Sequence, residues 1–81
     1  MLYSTHLLRH LRRTIGFNIH RLRTQRKIPL SVLATLSGLS RDKLDYYELG
    51  KGDIALDHML KIACILDAEV RDLLHNDRMP L

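Results

Sequence analysis

Gly38 interrupts a run of helix-spaced apolar residues between Leu30 and Gly50, and this interruption limits the possible folds more than any other feature of the chain. Leu33, Ala34 and Leu36 precede it, and Leu39, Leu44 and Tyr47 follow it. Glycine enters left-handed backbone at little cost, so Gly38 predicts the end of a short helix over 31–37. Ser40 is a good N-cap for a second helix running to about Leu49. Gly50, Lys51, Gly52 and Asp53 then form a loop.

The rest of the chain also reads as helix. Leu7, Leu8, Leu11 and Ile15 recur at three- and four-residue steps, and Ile15, Ile19 and Leu22 continue the pattern. The pattern fits one long helix or two, with Thr14 as a cap if the chain turns there. Pro29 marks the next boundary, because it lacks an N–H and biases Ile28 away from helix. Leu56, Met59, Leu60, Ala63 and Leu66 form a further stripe, with Cys64 read as a small buried residue inside it. Val70, Leu73 and Leu74 supply a last short helix, and no segment alternates with period two.

The chain has 81 residues and is expected to form a single small domain near the lower size limit for a stable core. A single cysteine excludes a disulfide framework and points to a reducing, cytoplasmic setting. No apolar run reaches the roughly eighteen residues of a membrane span. The opening residues also lack the pattern of a signal peptide.

Charge is divided unevenly. Residues 1–41 hold Arg9, Arg12, Arg13, Arg21, Arg23, Arg26, Lys27 and Arg41 with no acid, whereas the remainder carries an excess of Asp and Glu. A basic half suggests a polyanionic partner, with nucleic acid ahead of membrane; a solvated basic face is the plain alternative. His6 and His10 lie one turn apart with no third ligand nearby, so no metal site is expected. Neither a nucleophile with its base nor a Gly-rich phosphate loop is present, so neither enzyme activity nor a cofactor is expected.

Two short helices joined at Gly38, with the small Ala34 four residues before it, have the spacing of a helix-turn-helix. Leu33, Leu39, Leu44 and Tyr47 would face inward. The second helix would then present Arg41, Asp42, Lys43, Asp45, Tyr46 and Leu49, an exposed polar face suited to a major groove.

Residues 15–74 resemble the Cro and lambda-repressor family of helix-turn-helix proteins. The match rests on Ile15-Gly16, Ile19, Leu22-Arg23, Leu33-Ala34, Gly38-Leu39-Ser40-Arg41, Leu44, Tyr47-Glu48, Gly50-Lys51, Leu60, Ile62-Ala63, Leu66 and Leu73-Leu74. The resemblance implies an all-α fold: a compact five-helix domain over 15–75, an extra N-terminal helical extension over 1–14 and a tail over 76–81. It implies a salt bridge between Arg23 and Glu48, and base contacts from Arg41, Asp42, Lys43, Asp45 and Tyr46. Phosphates would be held at Leu30 and Ser31, by Ser40, and by Lys51 with the backbone of Gly50 to Gly52. For Asp42, a first-turn acid complementing the helix dipole is the structural alternative.

The sequence departs from the family pattern at a few positions. Leu30 replaces the usual Gln, Lys27 stands where a helix-ending Gly is common, and Ile54 and Ala55 replace Pro and a capping Ser. Asp42 and Asp45 would repel phosphate unless directed into the groove.

The function implied is a sequence-specific, double-stranded DNA-binding transcriptional regulator, such as a repressor, acting as a homodimer on a palindromic operator. RNA polymerase or a cognate toxin would be its protein partners. Candidate dimer contacts are Val70, Leu73, Leu74, Met79 and Leu81, or Leu7, Leu8 and Leu11. The alternative is a protein–protein interaction domain of the same fold that no longer reads DNA. In the segment Tyr3 to Arg13, the basic side formed by Arg9, Arg12 and Arg13 would run along the DNA backbone. Placement on an anionic membrane ranks last, because the segment is barely three turns long.

Overall fold

Leu11, Ile15, Ile19 and Leu22 keep helical spacing through residue 14, and the chain follows them as one helix, α1 (Thr5–Gln25). The computed structural model describes residues 5–76. Four further helices follow: α2 (Leu30–Ser37), α3 (Arg41–Glu48), α4 (Leu56–Ile65) and α5 (Val70–Leu74), with no strand among the described residues. Thr14 is therefore no cap. It is buried within α1, where its hydroxyl receives a 3.3 Å hydrogen bond from Asn76.

Helix ends are set by residues in left-handed backbone. Gly38 (φ 74°) closes α2, with its N–H bonded to the Ala34 carbonyl at 2.9 Å. Gly50 (φ 70°) closes α3, through Gly50 N–H to Tyr47 O and Lys51 N–H to Tyr46 O. Lys27 (φ 56°) and Asp67 (φ 54°) do the same for α1 and α4, with paired bonds to the carbonyls three and five residues back. Lys27 thus performs the task of the helix-ending glycine it replaces, at the steric cost of a side chain.

Every helix contributes to one core. Ile19, Leu33, Leu44, Ile62, Leu66 and Leu73 are its fully buried side chains, joined by Ile15, Leu22, Ala34, Tyr47 and Ala63. Leu39 is only partly buried against this cluster. α1 packs on α3 and α5, α2 packs on α3 and α4, and α4 packs on α5.

Several expectations require correction. Leu56 and Leu60 are exposed, as is Cys64, whereas Ala63 and Leu66 of the expected stripe are buried, Met59 packs against the core, and Ile62 joins them. Helical spacing marks this side of α4 as apolar, and packing against α2 and α5 turns the buried stripe toward Ile62 and away from Leu56 and Leu60. Leu73 belongs to the core of its own chain and is not available for a dimer contact, whereas Leu7, Leu8 and Leu74 are exposed. Met79 and Leu81 lie outside the described residues.

Asn18 is buried and ties the end of α5 to α1. Its side-chain N–H groups donate to the carbonyls of Leu73 and His75, both at 2.8 Å. Gly16 makes the α1–α3 crossing possible. A Cβ there would lie 2.6 Å from the Glu48 carbonyl oxygen and would also collide with that of Tyr47. Glycine within a helix costs about 1 kcal/mol relative to alanine, but alanine here would have to push the backbone of α3 away. Gly16→Ala is therefore expected to destabilise the fold by about 2–3 kcal/mol, in the range for overpacked cores. A drop in the urea midpoint reads this; an unchanged or raised midpoint contradicts the packing described.

Candidate nucleic-acid interface

α3 is eight residues long and has no stability of its own in water, so its caps and supports decide where its side chains point. Ser40 caps its start in extended backbone (φ −72°, ψ 153°), with Oγ accepting the Lys43 N–H at 3.0 Å. Asp42 occupies the first turn, where a negative charge complements the helix dipole. Leu44 and Tyr47 anchor the inner face. Arg41, Asp42, Lys43, Asp45 and Tyr46 are all exposed along the outer side, and α1 does not cover them. Lys43 Nζ stands 5.9 Å from the centre of the Tyr47 ring. The Tyr46 ring packs onto Gly52, where a Cβ would strike it, so Tyr46 is partly held by the following loop.

The far end of α3 is braced to α1. Arg23 Nε donates to Glu48 Oε2 at 2.7 Å and Nη2 donates to Oε1 at 3.0 Å, forming a two-pronged ion pair. Arg23 Nη1 also reaches the Ile28 carbonyl at 3.0 Å, fastening the α1–α2 turn to the same point. The two side chains keep only 12% and 8% of their surface exposed. His20 adds a contact of 2.9 Å to Glu48 Oε1. Burial opposes ionisation of Glu48, but the bonds and charges of Arg23 and His20 outweigh it and hold the carboxyl below its ordinary range. The Arg23 guanidinium is raised in turn, chiefly by its hydrogen bond to Glu48.

Leu30 and Ser31 begin α2 behind Pro29. The N–H groups of Val32 and Leu33 bond to the Pro29 carbonyl, which leaves those of Leu30 and Ser31 for an anion. Ser31 is exposed, whereas the Leu30 side chain packs against the core and provides no polar group. In the loop after α3, Lys51 is exposed, but the N–H groups of Gly50 and Lys51 close the helix end. The backbone donors expected to bind phosphate across 50–52 are thus reduced to Gly52.

Three features of this region escaped the sequence. Arg12, expected in one basic row with Arg9 and Arg13, pairs with Asp53 at 2.6 Å, 41 residues along the chain. That hydrogen bond draws the Asp53 carboxyl below its usual value and raises the Arg12 guanidinium. Around this pair, Leu8 and Leu11 line a cleft of about 140 Å³ with Ile54 and Met59. No local spacing signals such a meeting. His20 joining the Arg23–Glu48 pair had a weak signal, since it precedes Arg23 by three residues on the same helix face. A wider groove of about 570 Å³ opens on the other side of the α1–α3 crossing, lined by Arg13, Phe17, His20, Leu30, Asp45 and Leu49 among others.

The depressed Glu48 carboxyl sets a pH dependence. Its contribution is fully present above the ordinary Glu value of about 4.3 and is lost as pH falls through the lower folded-state value. At neutral pH, Glu48→Gln is expected to cost about 2 kcal/mol, less than the roughly 3–5 kcal/mol of a fully buried broken pair because the Arg23 edge meets solvent. The gap between wild type and variant should narrow in urea melts below about pH 4. A gap independent of pH would contradict the pairing as the cause.

Comparison with known proteins agrees with this geometry. A helix-turn-helix family model matches residues 19–73. The restriction-modification controller protein C.AhdI from Aeromonas hydrophila is 35% identical, with a TM-score of 0.73 over 76% of this chain and 94% of that one. The clp gene regulator ClgR from Corynebacterium glutamicum is 26% identical, with a TM-score of 0.77 over 79% of this chain and 68% of that one. A hypothetical transcription factor, NHTF from Neisseria, is also 26% identical, with a TM-score of 0.78 over 84% and 78% of the two chains. No curated protein matches the chain. With the crossing at Gly16, the turn at Gly38 and the Arg23–Glu48 brace in place, the chain belongs to the XRE-type helix-turn-helix family, a family of DNA-binding regulators.

Proposed function

We propose that this chain is a sequence-specific, double-stranded DNA-binding transcriptional regulator that works as a homodimer on a palindromic operator. The observation that carries the reading is the outer side of α3: exposed, polar, capped by Ser40 at one end and locked by Arg23–Glu48 at the other. A short helix held rigidly in this way enters a major groove without first having to be ordered. Arg41 and Lys43 donate to guanine edges, and Asp42 or Asp45 accepts from cytosine. Ser31, the start of α2 and Lys51 hold the backbone.

One α3 reads only a few base pairs, and two copies on paired half-sites supply the missing specificity. Leu7, Leu8 and Leu74 are exposed apolar residues at the ends of α1 and α5 from which a dimer contact can draw. The reading assigns the chain no catalysis. It has the chain act in the cytoplasm, by occupying a promoter or touching RNA polymerase, with a cognate toxin as a further possible partner. Among the described residues no helix is long and apolar enough to cross a membrane.

Binding to duplexes of selected and random sequence tests this. Lys43→Ala is expected to relax base preference by about 1–3 kcal/mol of discrimination. Lys51→Ala should weaken all sequences alike and lower the slope of log affinity against log salt by about 1. Absence of duplex binding at low salt would instead support the protein-interaction reading.

A further inference from the structure

Neighbouring arginines on α1 diverge at Gly50. A Cβ on that glycine would sit 2.9 Å from Arg13 Cα, so α1 passes directly against the loop that carries Lys51. On one side of the crossing, Arg12 turns to Asp53 and answers the acid of that loop. On the other side, Arg13 lines the groove that also contains Asp45 of α3 and Leu49 just after it. Arg13 is exposed and makes no pair with an acid among the described residues. Arg9 precedes it by four residues on the same face of the same unbroken helix, about 6 Å along the axis, and is likewise exposed and without an acidic partner among the described residues.

We infer that Arg9 and Arg13 form a second phosphate-binding strip beside α3, so that DNA is gripped from the first helix as well as from the helix-turn-helix. The inference rests on the DNA-binding reading and extends its footprint beyond α2, α3 and Lys51. Three observations converge on it. α1 is continuous from Thr5 to Gln25, so its first turns are held at a fixed angle to the reading helix. Arg13 shares a groove with Asp45 of α3 and with Leu49 at its end, which places its side chain on the reading side of the crossing. The nearby acids of the loop and of the α3 end, Asp53 and Glu48, are already paired, with Arg12 and Arg23. The strip also answers a problem posed by α3 itself. Asp42 and Asp45 repel phosphate, and cations on the adjoining helix offset that field without occupying base-reading positions.

The test is the salt dependence of binding to one random-sequence duplex, measured for the full chain and three variants. Arg9→Ala/Arg13→Ala should lower the log–log slope by about 1.8, two contacts at about 0.9 each. A fourfold rise in salt then weakens the variant roughly tenfold less than wild type. Base preference, read from a selected duplex beside the random one, should be unchanged. Lys61→Ala removes an exposed cation on α4 and should leave the slope at the wild-type value. Lys51→Ala reports on the DNA reading independently, with its own loss of about 1. Alanine favours helix and both arginines are exposed, so circular dichroism should show an intact fold. If Lys51→Ala lowers the slope but the double variant does not, the strip is refuted while DNA binding stands. If wild type shows no salt-dependent duplex binding, the strip and the DNA-binding reading both fall.

Discussion

The fold turns on one nearly buried ion pair. Arg23 and Glu48 meet with two hydrogen bonds at the place where α1, the α1–α2 turn and the end of α3 come together. A charge this deeply placed is tolerable only opposite its partner, so the pair acts as a constraint on geometry more than as a source of stability. Any rotation of α3 about its axis would separate the two groups. The exposed side of α3 is thereby fixed relative to α1, and so is every residue proposed to meet DNA.

That constraint works because the backbone lets α1 and α3 approach closely. Gly16 provides the space against the carbonyls of Tyr47 and Glu48, and Gly50 provides it one turn earlier along α1, against Arg13. Tight helix ends do the rest. Gly38, Gly50, Lys27 and Asp67 each reverse the chain within a residue or two through left-handed backbone, which keeps the connections short. Helices of five to ten residues such as α2 to α5 are unstable alone, and here each is held by its neighbours through a core to which all five contribute.

Electrostatics follow the same division between inside and edge. The braced pair keeps its charges by excluding water and satisfying them internally. Arg12–Asp53 lies at the surface, where such a pair adds little stability, but it settles which cations of α1 remain available to a partner. The basic character of the first forty residues is therefore not a uniform field. Arg23 is consumed by structure and Arg12 by the loop, while Arg9, Arg13 and Lys51 stay exposed.

The sequence by itself determined the helices after Pro29 and their order, because apolar spacing, Ser40, Pro29 and the glycine at 38 are local signals acting over one or two turns. It also carried the helix-turn-helix and the exposed residues of α3, since a fixed turn leaves a short amphipathic helix only one way to bury Leu44 and Tyr47. Only the tertiary structure decided how the apolar stripe of α4 is turned, keeping Ala63 inside together with Ile62 and leaving Leu60 and Cys64 outside. It likewise fused the two N-terminal segments into α1, claimed Leu73 for the core, and sent Arg12 to Asp53 instead of alongside Arg13. Those outcomes rest on partners tens of residues away, and periodicity along a helix records that a face is apolar without recording what will cover it.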